Sequence, residues 1–457
     1  MRPAAASGLS PCVVLIVDKE RRIYTKLRAG HHRLLRITIA TMKRAAREIQ
    51  TQVHRIFNLQ IVVLEIVSNV SDLSSWAIAY LVSGSPSASS LIQTGIDQIA
   101  EVDLSEEQRM LVANLLCDRT DEPICRIGWF EDAVKWTESV LGIPLAPHTP
   151  FLQMNAGNGF MLLRFMASNG RKYWLKATQE PNRHELSVTK FLCSISRAGG
   201  FAPHPVPILY GIRKEWNAWL LSGEGEPLKV VPSTLQTLHC RLREAVSAMA
   251  QLQLMSADHE MGLLEHGAFD HRPATWMLYA DPICDSLKEV CRSQGCGPQD
   301  GSGPLAPEDL AGIYRKVLDA ISDLGIPASL LHGDLNWGNL VFANGCQLID
   351  WSEARVGSPL VSLWHLLMLI PAGDEACQRY LRQALFEDYC QVWSDSGTNT
   401  SGFKRAFRYA PFLAAFSAFY ARGEWFGCER PTPPPSVGRI LTHLIQEASI
   451  LRQEGAV

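Results

Sequence analysis

Between residues 151 and 222 the sequence runs through five short β-type segments with one helix-forming stretch after the third, and from residue 238 onward it turns helical. That change of hydrophobic period is the strongest constraint on the fold. Segments 151–154, 160–167 and 171–177 are separated by Asn155-Ala156-Gly157-Asn158-Gly159 and Ser168-Asn169-Gly170, and Asn-Gly pairs favour the left-handed backbone of tight hairpins. Pro181-Asn182 opens a helix carrying Leu186, Phe191, Leu192 and Ile195, which Gly199-Gly200 stops. Segments 206–212 and 218–222 complete the set. After the polar link Gly223-Glu224-Gly225-Glu226, helices are expected over 238–253, 307–324, 360–369, 375–393, 406–420 and 438–452. Surface connectors are expected at 295–307 and 431–435. A small sheet followed by a larger helical body would leave a cleft between them.

Upstream, residues 12–125 read as a small α/β or α+β unit. It has β-type runs at 13–17 and 22–27, then a helix with Met42, Ala46, Ile49, Val53 and Ile56 on one face and Lys43, Arg44, Arg47, Gln50 and Arg55 toward water. Strands at 60–67 and 75–82, a serine-rich loop at 83–90 and an amphipathic helix at 104–116 follow. A further helix, 129–141, stops at Gly142, and a Pro-containing connector leads into the five segments. The expected fold class is α+β, with domains at 1–125, 126–223 and 224–457.

The 457 residues suffice for two to three cores of about 150 residues each. With 43 Lys+Arg against 46 Asp+Glu the formal charge is −3, so no global basic field selects a nucleic-acid partner. A hydrophobic content of 47% excludes a chain disordered throughout. No stretch approaches the roughly 18 uninterrupted apolar residues of a membrane span. The apolar run 13–17 is too short for a signal peptide, so a cytoplasmic protein is expected. None of the 12 cysteines forms a C-x-x-C, and Cys291 and Cys296 lack a partner at zinc spacing. Most are expected to be small apolar core residues.

The chemistry concentrates in residues 330–351, L-L-H-G-D-L-N-W-G-N-L-V-F-A-N-G-C-Q-L-I-D-W, where Asp334 and Asp350 flank Asn339. Runs 340–342 and 347–349 around Asn344-Gly345 predict a hairpin that folds Asp350 back toward Asn339. Oxygen ligands from an Asp and an Asn at one end of a hairpin suit Mg²⁺, which takes few protein ligands together with substrate phosphates. Asp334, on the preceding loop, is placed to accept a proton from an attacking hydroxyl. A lone H-x-D or I-D-W more often braces a loop; the weight comes from all three groups at these spacings.

This stretch resembles the catalytic loop and metal-binding Asp of the aminoglycoside phosphotransferase and choline kinase family, relatives of the protein kinases. Over about residues 129–450 the resemblance implies a bilobal protein-kinase-like fold, with a small β-rich N-lobe and a larger helical C-lobe. It implies ATP and Mg²⁺ as cofactors and a small-molecule hydroxyl as acceptor. By the same resemblance Lys176 would hold the nucleotide's α/β-phosphates and pair with Glu185, and Gly157 and Gly159 would occupy the phosphate-covering loop. Leu221 and Gly223, in Leu220-Leu221-Ser222-Gly223, would form the adenine hinge. Asn339 and Asp350 would hold metal, Asp334 would be the base, His332 would brace the loop, and Trp337 and Trp351 would pack around the site. Many relatives carry acidic residues where this chain has Gly357-Ser358-Pro359-Leu360-Val361-Ser362-Leu363, which leaves the subfamily and substrate open.

No activation segment with an A-P-E ending follows Asp350, which favours a small acceptor over a protein. The rival reading is a catalytically inactive nucleotide-binding regulatory module; retention of Asp334 beside Asn339 and Asp350 weighs against it. Glu387, Asp388 and Glu424 could attract a cationic acceptor, although such acids are ordinarily solvated helix faces. Arg47-Glu48-Ile49-Gln50-Thr51-Gln52 is similar to a Nudix helix, but Thr51 and Gln52 stand where that family has metal-binding glutamates. A non-catalytic, Nudix-like accessory domain is one reading of 1–125, and an ordinary amphipathic helix is the other and the commoner one. The acceptor, nucleotide preference and oligomeric state stay open.

Overall fold

The computed structural model describes residues 9–40, 44–69, 74–120, 122–146, 151–157, 159–200, 203–227, 232, 234–293, 305–423 and 437–457. Met42, Lys43, Asn158, Cys296, Glu424 and the connectors at 295–304 and 431–435 lie outside the described residues. The chain is α+β and divides into two compact units, Met1–Leu186 with Ile208–Glu224, and Ser187–Pro207 with Gly225–Val457.

The first unit holds two sheets. In one, Ser10–Val17 is central: it pairs in parallel with Ser74–Ser83 and antiparallel with Ile23–Arg28 and Leu35–Ile39. A strand covered on both faces reads as a continuous apolar run, and Val14, Leu15, Ile16 and Val17 are all buried. Gln60–Asn69 lies at the end of the strand order, beside Ser74–Ser83. The strands His31–Arg33 and Leu35–Ile39 were not anticipated, because arginines break their pattern. The buried carboxylate of Asp103 accounts for them: it accepts from Arg33 Nε at 2.8 Å and Arg36 Nη2 at 2.6 Å. Helix Ala45–Phe57 buries Ala46, Ile49 and Val53 as expected. Phe57 closes that stripe in place of Ile56, which is 48% exposed.

The other sheet is wholly antiparallel, in the order Leu209–Arg213, Ala218–Ser222, Lys172–Thr178, Phe160–Met166, Leu152–Gly157. One hydrophobic core serves both sheets, joining Leu15, Val62 and Trp76 to Trp129 and Phe130 of helix Trp129–Leu141 and to Leu163, Leu175 and Leu220. Gln153 stitches the two sheets. Its fully buried amide accepts from Val63 N at 2.8 Å and donates to Val63 O at 2.7 Å, standing in for a peptide group. Residues before 125 thus share a core with the five-stranded sheet.

In the second unit the expected helices appear with shifted ends: Leu235–Ala257, Pro307–Ser322, Leu360–Leu367, Glu375–Asp395 and Val437–Gln453. The single helix expected over 406–420 is divided into Ser401–Ala406, a 3₁₀ turn at Phe407–Tyr409, and Ala410–Tyr420, whose first turn holds Pro411. Helices Glu260–Glu265, Pro273–Leu278 and Ala280–Ser293 were not anticipated, nor was the sheet of Phe269–His271, Arg355–Gly357 and Ser329–Leu331. Strands of three residues carry too few positions to show a period of two. Most of the described free cysteines, among them Cys12, Cys193 and Cys346, are buried. Among the described residues no helix is long and apolar enough to cross a membrane.

Candidate active site

In the second unit, strand Ser329–Leu331 delivers the chain into His332-Gly333-Asp334. Leu331 lies opposite Arg355, so the segments just before Asp334 and just after Asp350 are paired to each other. The hairpin forms as the Asn344-Gly345 signal predicts, with Leu340–Ala343 against Gly345–Leu348 and Leu340 opposite Leu348. Beyond it, Ile349 N donates to Asn339 O at 3.1 Å, which sets Asp350 one residue from Asn339's backbone partner. Asn339 Nδ2 donates to Asp334 O at 2.8 Å and reaches Asp334 Oδ2 at 3.4 Å. The amide nitrogen is thereby committed to Asp334, and the Asn339 carbonyl oxygen is the atom chemically able to meet a cation. Asp334 itself is exposed, while Asn339 is buried and Asp350 half-buried.

Backbone conformation marks this loop. Asp350 has φ +71°, in the left-handed region that Asp visits more readily than most residues, and strain of this kind gathers at functional sites. Gly333 has φ +79°, and a Cβ there would run into the backbone oxygen of Glu353. Only glycine lets the loop lie against that segment.

His332 is fully buried; its backbone N donates to Ser362 Oγ at 3.1 Å, its Nε2 bonds Ile349 O at 2.9 Å, and its ring lies 4.5 Å from that of Trp351. Burial lowers its pKa, so the neutral ring donates from Nε2 and ties the loop to the residue before Asp350. The neutral hydroxyl of Ser362 supplies the acceptor there. Trp351 is buried and Trp337 half-buried.

Two supports of this loop escaped sequence analysis. Gln253, in the middle of Leu235–Ala257 and fully buried, donates from Nε2 to Leu330 O at 3.1 Å and Pro359 O at 3.0 Å, and accepts from Tyr389 OH at 2.7 Å. Arg355 donates from Nη1 to Ser417 O and Oγ, at 3.1 and 2.9 Å, and lies 3.5 Å from Glu353, which Arg422 also meets at 2.8 Å. His271 bonds Ser417 Oγ at 2.9 Å and Ala421 O at 2.7 Å; burial first, then the charge of Arg355, pushes its pKa well down. Neither Gln253 nor Arg355 stands in a pattern that marks it. Asp388 lies 3.2 Å from Arg243, and Glu387 accepts from Gln383 at 2.7 Å, so both acids have partners on helix surfaces.

In the first unit, Lys176 lies between Leu162 and Trp219 in register. Its Nζ is 2.5 Å from Glu185 Oε1, and the two side chains are only 9% and 2% exposed. The rings of Phe160 and Trp219 lie 5.2 and 5.8 Å from the ammonium. Glu185 is the first residue of helix Glu185–Ala198, so the expected lysine–glutamate pair is formed. Leu221 pairs with Trp174 and Leu209, and Gly223 N donates to Lys172 O at 2.9 Å. Gly157 and Gly159 flank the turn between their strands and pack against Glu65 with Ile66 and against Glu122, respectively. On helix Ala45–Phe57, Thr51 Oγ1 donates back to Arg47 O at 2.8 Å and Gln52 accepts from Arg55 at 2.7 Å, so both positions serve their own helix.

The family model described as "Phosphotransferase enzyme family" matches residues 191–394, which contain Asp334, Asn339 and Asp350. This is the family that residues 330–351 resemble. Among solved structures, the chain is similar to a macrolide 2'-phosphotransferase of Brachybacterium faecium at 17% identity, covering 70% of this chain and 97% of that one with a TM-score of 0.41. It is similar to a Plasmodium vivax ethanolamine kinase at 12% identity, covering 77% and 97% with a TM-score of 0.44. It is also similar to a choline kinase of Streptococcus pneumoniae at 14% identity, covering 70% and 99% with a TM-score of 0.41. No curated protein matches the chain.

Proposed function

We propose that the chain is an ATP- and Mg²⁺-dependent phosphotransferase that phosphorylates a hydroxyl of a small molecule. The observation that carries this reading is the convergence of Asp334, Asn339 and Asp350 on one braced loop and hairpin, inside the segment matched by the phosphotransferase family model. In the reaction the acceptor oxygen forms a bond to the γ-phosphorus, the bond to ADP breaks, and the acceptor proton passes to the Asp334 carboxylate. Asn339 Oδ1 and the Asp350 carboxylate would hold Mg²⁺, whose charge would offset that of the phosphates. Lys176, oriented by Glu185, binds the α/β-phosphates, and the backbone around Leu221 and Gly223 receives adenine. Residues 1–125 serve as an accessory domain without metal chemistry of their own, ahead of a β-rich segment at 126–223 and a helical one at 224–457.

The test compares wild type with Asp350→Ala and Asp334→Asn. Mg·ATP at 100 times its Kd should stabilise wild type by about 2.7 kcal/mol. That shift should vanish in Asp350→Ala. Asp334→Asn should keep it while losing about 10²–10⁴-fold in kcat, the usual worth of a general base. Equal loss of binding and turnover in Asp334→Asn would argue against its role. Binding without turnover in wild type, across a panel of hydroxylated acceptors, would favour the regulatory-module reading.

A further inference from the structure

The formal charge of −3 hides an uneven distribution: 12 of the 43 Lys+Arg stand in residues 1–55, against 3 of the 46 Asp+Glu. Acids of the fold hold some of these cations, Arg21 with Asp118, Arg22 with Asp18, and Arg33 and Arg36 with the buried Asp103. Lys26, Arg28, Arg44, Arg47 and Arg55 form no ion pair among the described residues. They lie on one surface of the first unit. Helix Ala45–Phe57 turns Ala46, Ile49 and Val53 inward, and at the α-helical period Arg44, Arg47 and Arg55 fall within about 80° of one another on the outward side, along about 16 Å of axis. At the helix's C-terminal end Lys26 Nζ lies 4.7 Å from the Phe57 ring. Arg28 is two residues further along the same face of that strand, with His31 opposite it in register.

The helix itself does not account for these charges. Its dipole favours a cation in the last turn, which suits Arg55, and disfavours one at the N-terminal end. Arg44 stands at the N-cap, where its side chain caps nothing, and Arg47 in the first turn, so both meet the positive end of the dipole and repel each other. Glu48, the helix's one acid, pairs with neither. Cations kept against the preference of their own helix point to an anion outside the fold. The neighbouring side chains narrow its class. Among the described residues the exposed Phe, Trp or Tyr side chains are Tyr279 and Tyr380, both in the second unit, so no stacking platform for unpaired bases accompanies the cations. Of the exposed apolar residues nearby, Leu27 points to the opposite face of its strand from Lys26 and Arg28, and Ile56 stands alone at the helix end, too little to bury in a lipid surface. Guanidinium groups set along a line suit the phosphate backbone of a duplex.

We propose that this face, built from helix Ala45–Phe57 and the hairpin of Ile23–Arg28 and His31–Arg33, is a docking surface for the phosphate backbone of double-stranded nucleic acid, without regard to base sequence. Arg44, Arg47, Arg55, Lys26 and Arg28 each meet a phosphate, and the counterions they displace drive the association. The inference is independent of the phosphotransferase reading, since none of these residues belongs to that site.

The experiment is fluorescence anisotropy of a labelled mixed-sequence DNA duplex of about 20 base pairs, titrated with the full chain at a series of salt concentrations. Five phosphate contacts give a slope of log K against log salt of about −4.5, a loss of about 500-fold in affinity between 50 and 200 mM. R44E/R47E/R55E should bind at least about tenfold more weakly than wild type, and R47Q/R55Q should shallow the slope by about 2. Circular dichroism checks that each variant is folded; if the triple variant is not, R47Q/R55Q decides the matter by its slope. No duplex binding by wild type at about 50 mM salt, or folded variants that bind with wild-type affinity and slope, would overturn the proposal. Two controls also count against it: a single strand of the same sequence bound more tightly than the duplex, or phosphatidylserine vesicles bound while the duplex is not.

Discussion

Gln253→Leu tests whether the loop that carries Asp334 is held by the hydrogen bonds behind it. The substitution keeps an apolar side chain of similar bulk but leaves the oxygens of Leu330 and Pro359 without this donor and the Tyr389 hydroxyl without this acceptor, all at a fully buried position. Each buried polar group left unsatisfied costs about 1–3 kcal/mol. Offset by the better burial of leucine, the net loss should be about 3 kcal/mol. In a unit of this size that lowers Tm by roughly 6–12 °C. Tyr389→Phe strands only Gln253 Oε1 and should cost about 1–2 kcal/mol, and the double variant should reveal a coupling of about 1 kcal/mol. Leu242→Ala, on the same helix and equally buried, serves as the control, since it should cost about 2–5 kcal/mol through a cavity alone. Leu330 lies two residues before His332, so Gln253→Leu should also lower kcat where Leu242→Ala does not. Differential scanning calorimetry and steady-state kinetics read both effects. A Gln253→Leu stability within about 0.5 kcal/mol of wild type, or no coupling to Tyr389→Phe, would refute the reasoning.

Other perturbations follow from the same geometry. Lys176→Met leaves the Glu185 carboxylate buried without its cation and should destabilise the chain by about 3–5 kcal/mol; adding Glu185→Leu should recover much of that, as measured by thermal unfolding. Gly333→Ala must adopt a left-handed backbone at about 1–2 kcal/mol and also push away the Glu353 oxygen. It should lower both Tm and kcat, and unchanged kinetics would show that the loop tolerates the shift. Stability should also fall with acid. Desolvation holds His365 at about 4 and pushes His271 well below its ordinary value. Both stay neutral in the fold, while the unfolded chain takes up protons below about pH 6.5. Their contribution is therefore complete above that pH and lost as pH falls, at about 1.4 kcal/mol per pH unit for each histidine. The His365 part levels off near 4, its folded value. His365→Phe should shallow the slope between pH 6.5 and 5 in urea titrations, and an unaltered slope would contradict the assignment.

Much of the candidate site is legible because its signals are local. Asn344-Gly345 between two apolar runs specifies a hairpin whatever surrounds it, and that hairpin carries Asp350 back to Asn339. The lysine–glutamate pair was anticipated from family resemblance, since nothing in a strand lysine alone distinguishes a buried partner from solvent. Ile56 and Phe57 were exchanged because two adjacent apolar residues at a helix end offer the period equally, and packing against the sheet selects one. His31–Arg33 and Leu35–Ile39 were missed because Asp103, the partner that makes Arg33 and Arg36 tolerable, lies about seventy residues away.

Taken alone, the sequence determined where strands and helices alternate, which turn closes the hairpin, and which three polar groups stand at spacings fit for phosphoryl transfer. These follow from backbone preferences and side-chain periods that act over a few residues. Only the tertiary structure decided that Gln253 and Arg355 support the loop, that three-residue strands join the segments beside Asp334 and Asp350, and that one core runs under both sheets of the first unit. It also decided that Glu65 and Glu122 rest on Gly157 and Gly159. The worth of each of these contacts depends on burial and on a partner far along the chain, and neither is set until the whole unit has folded.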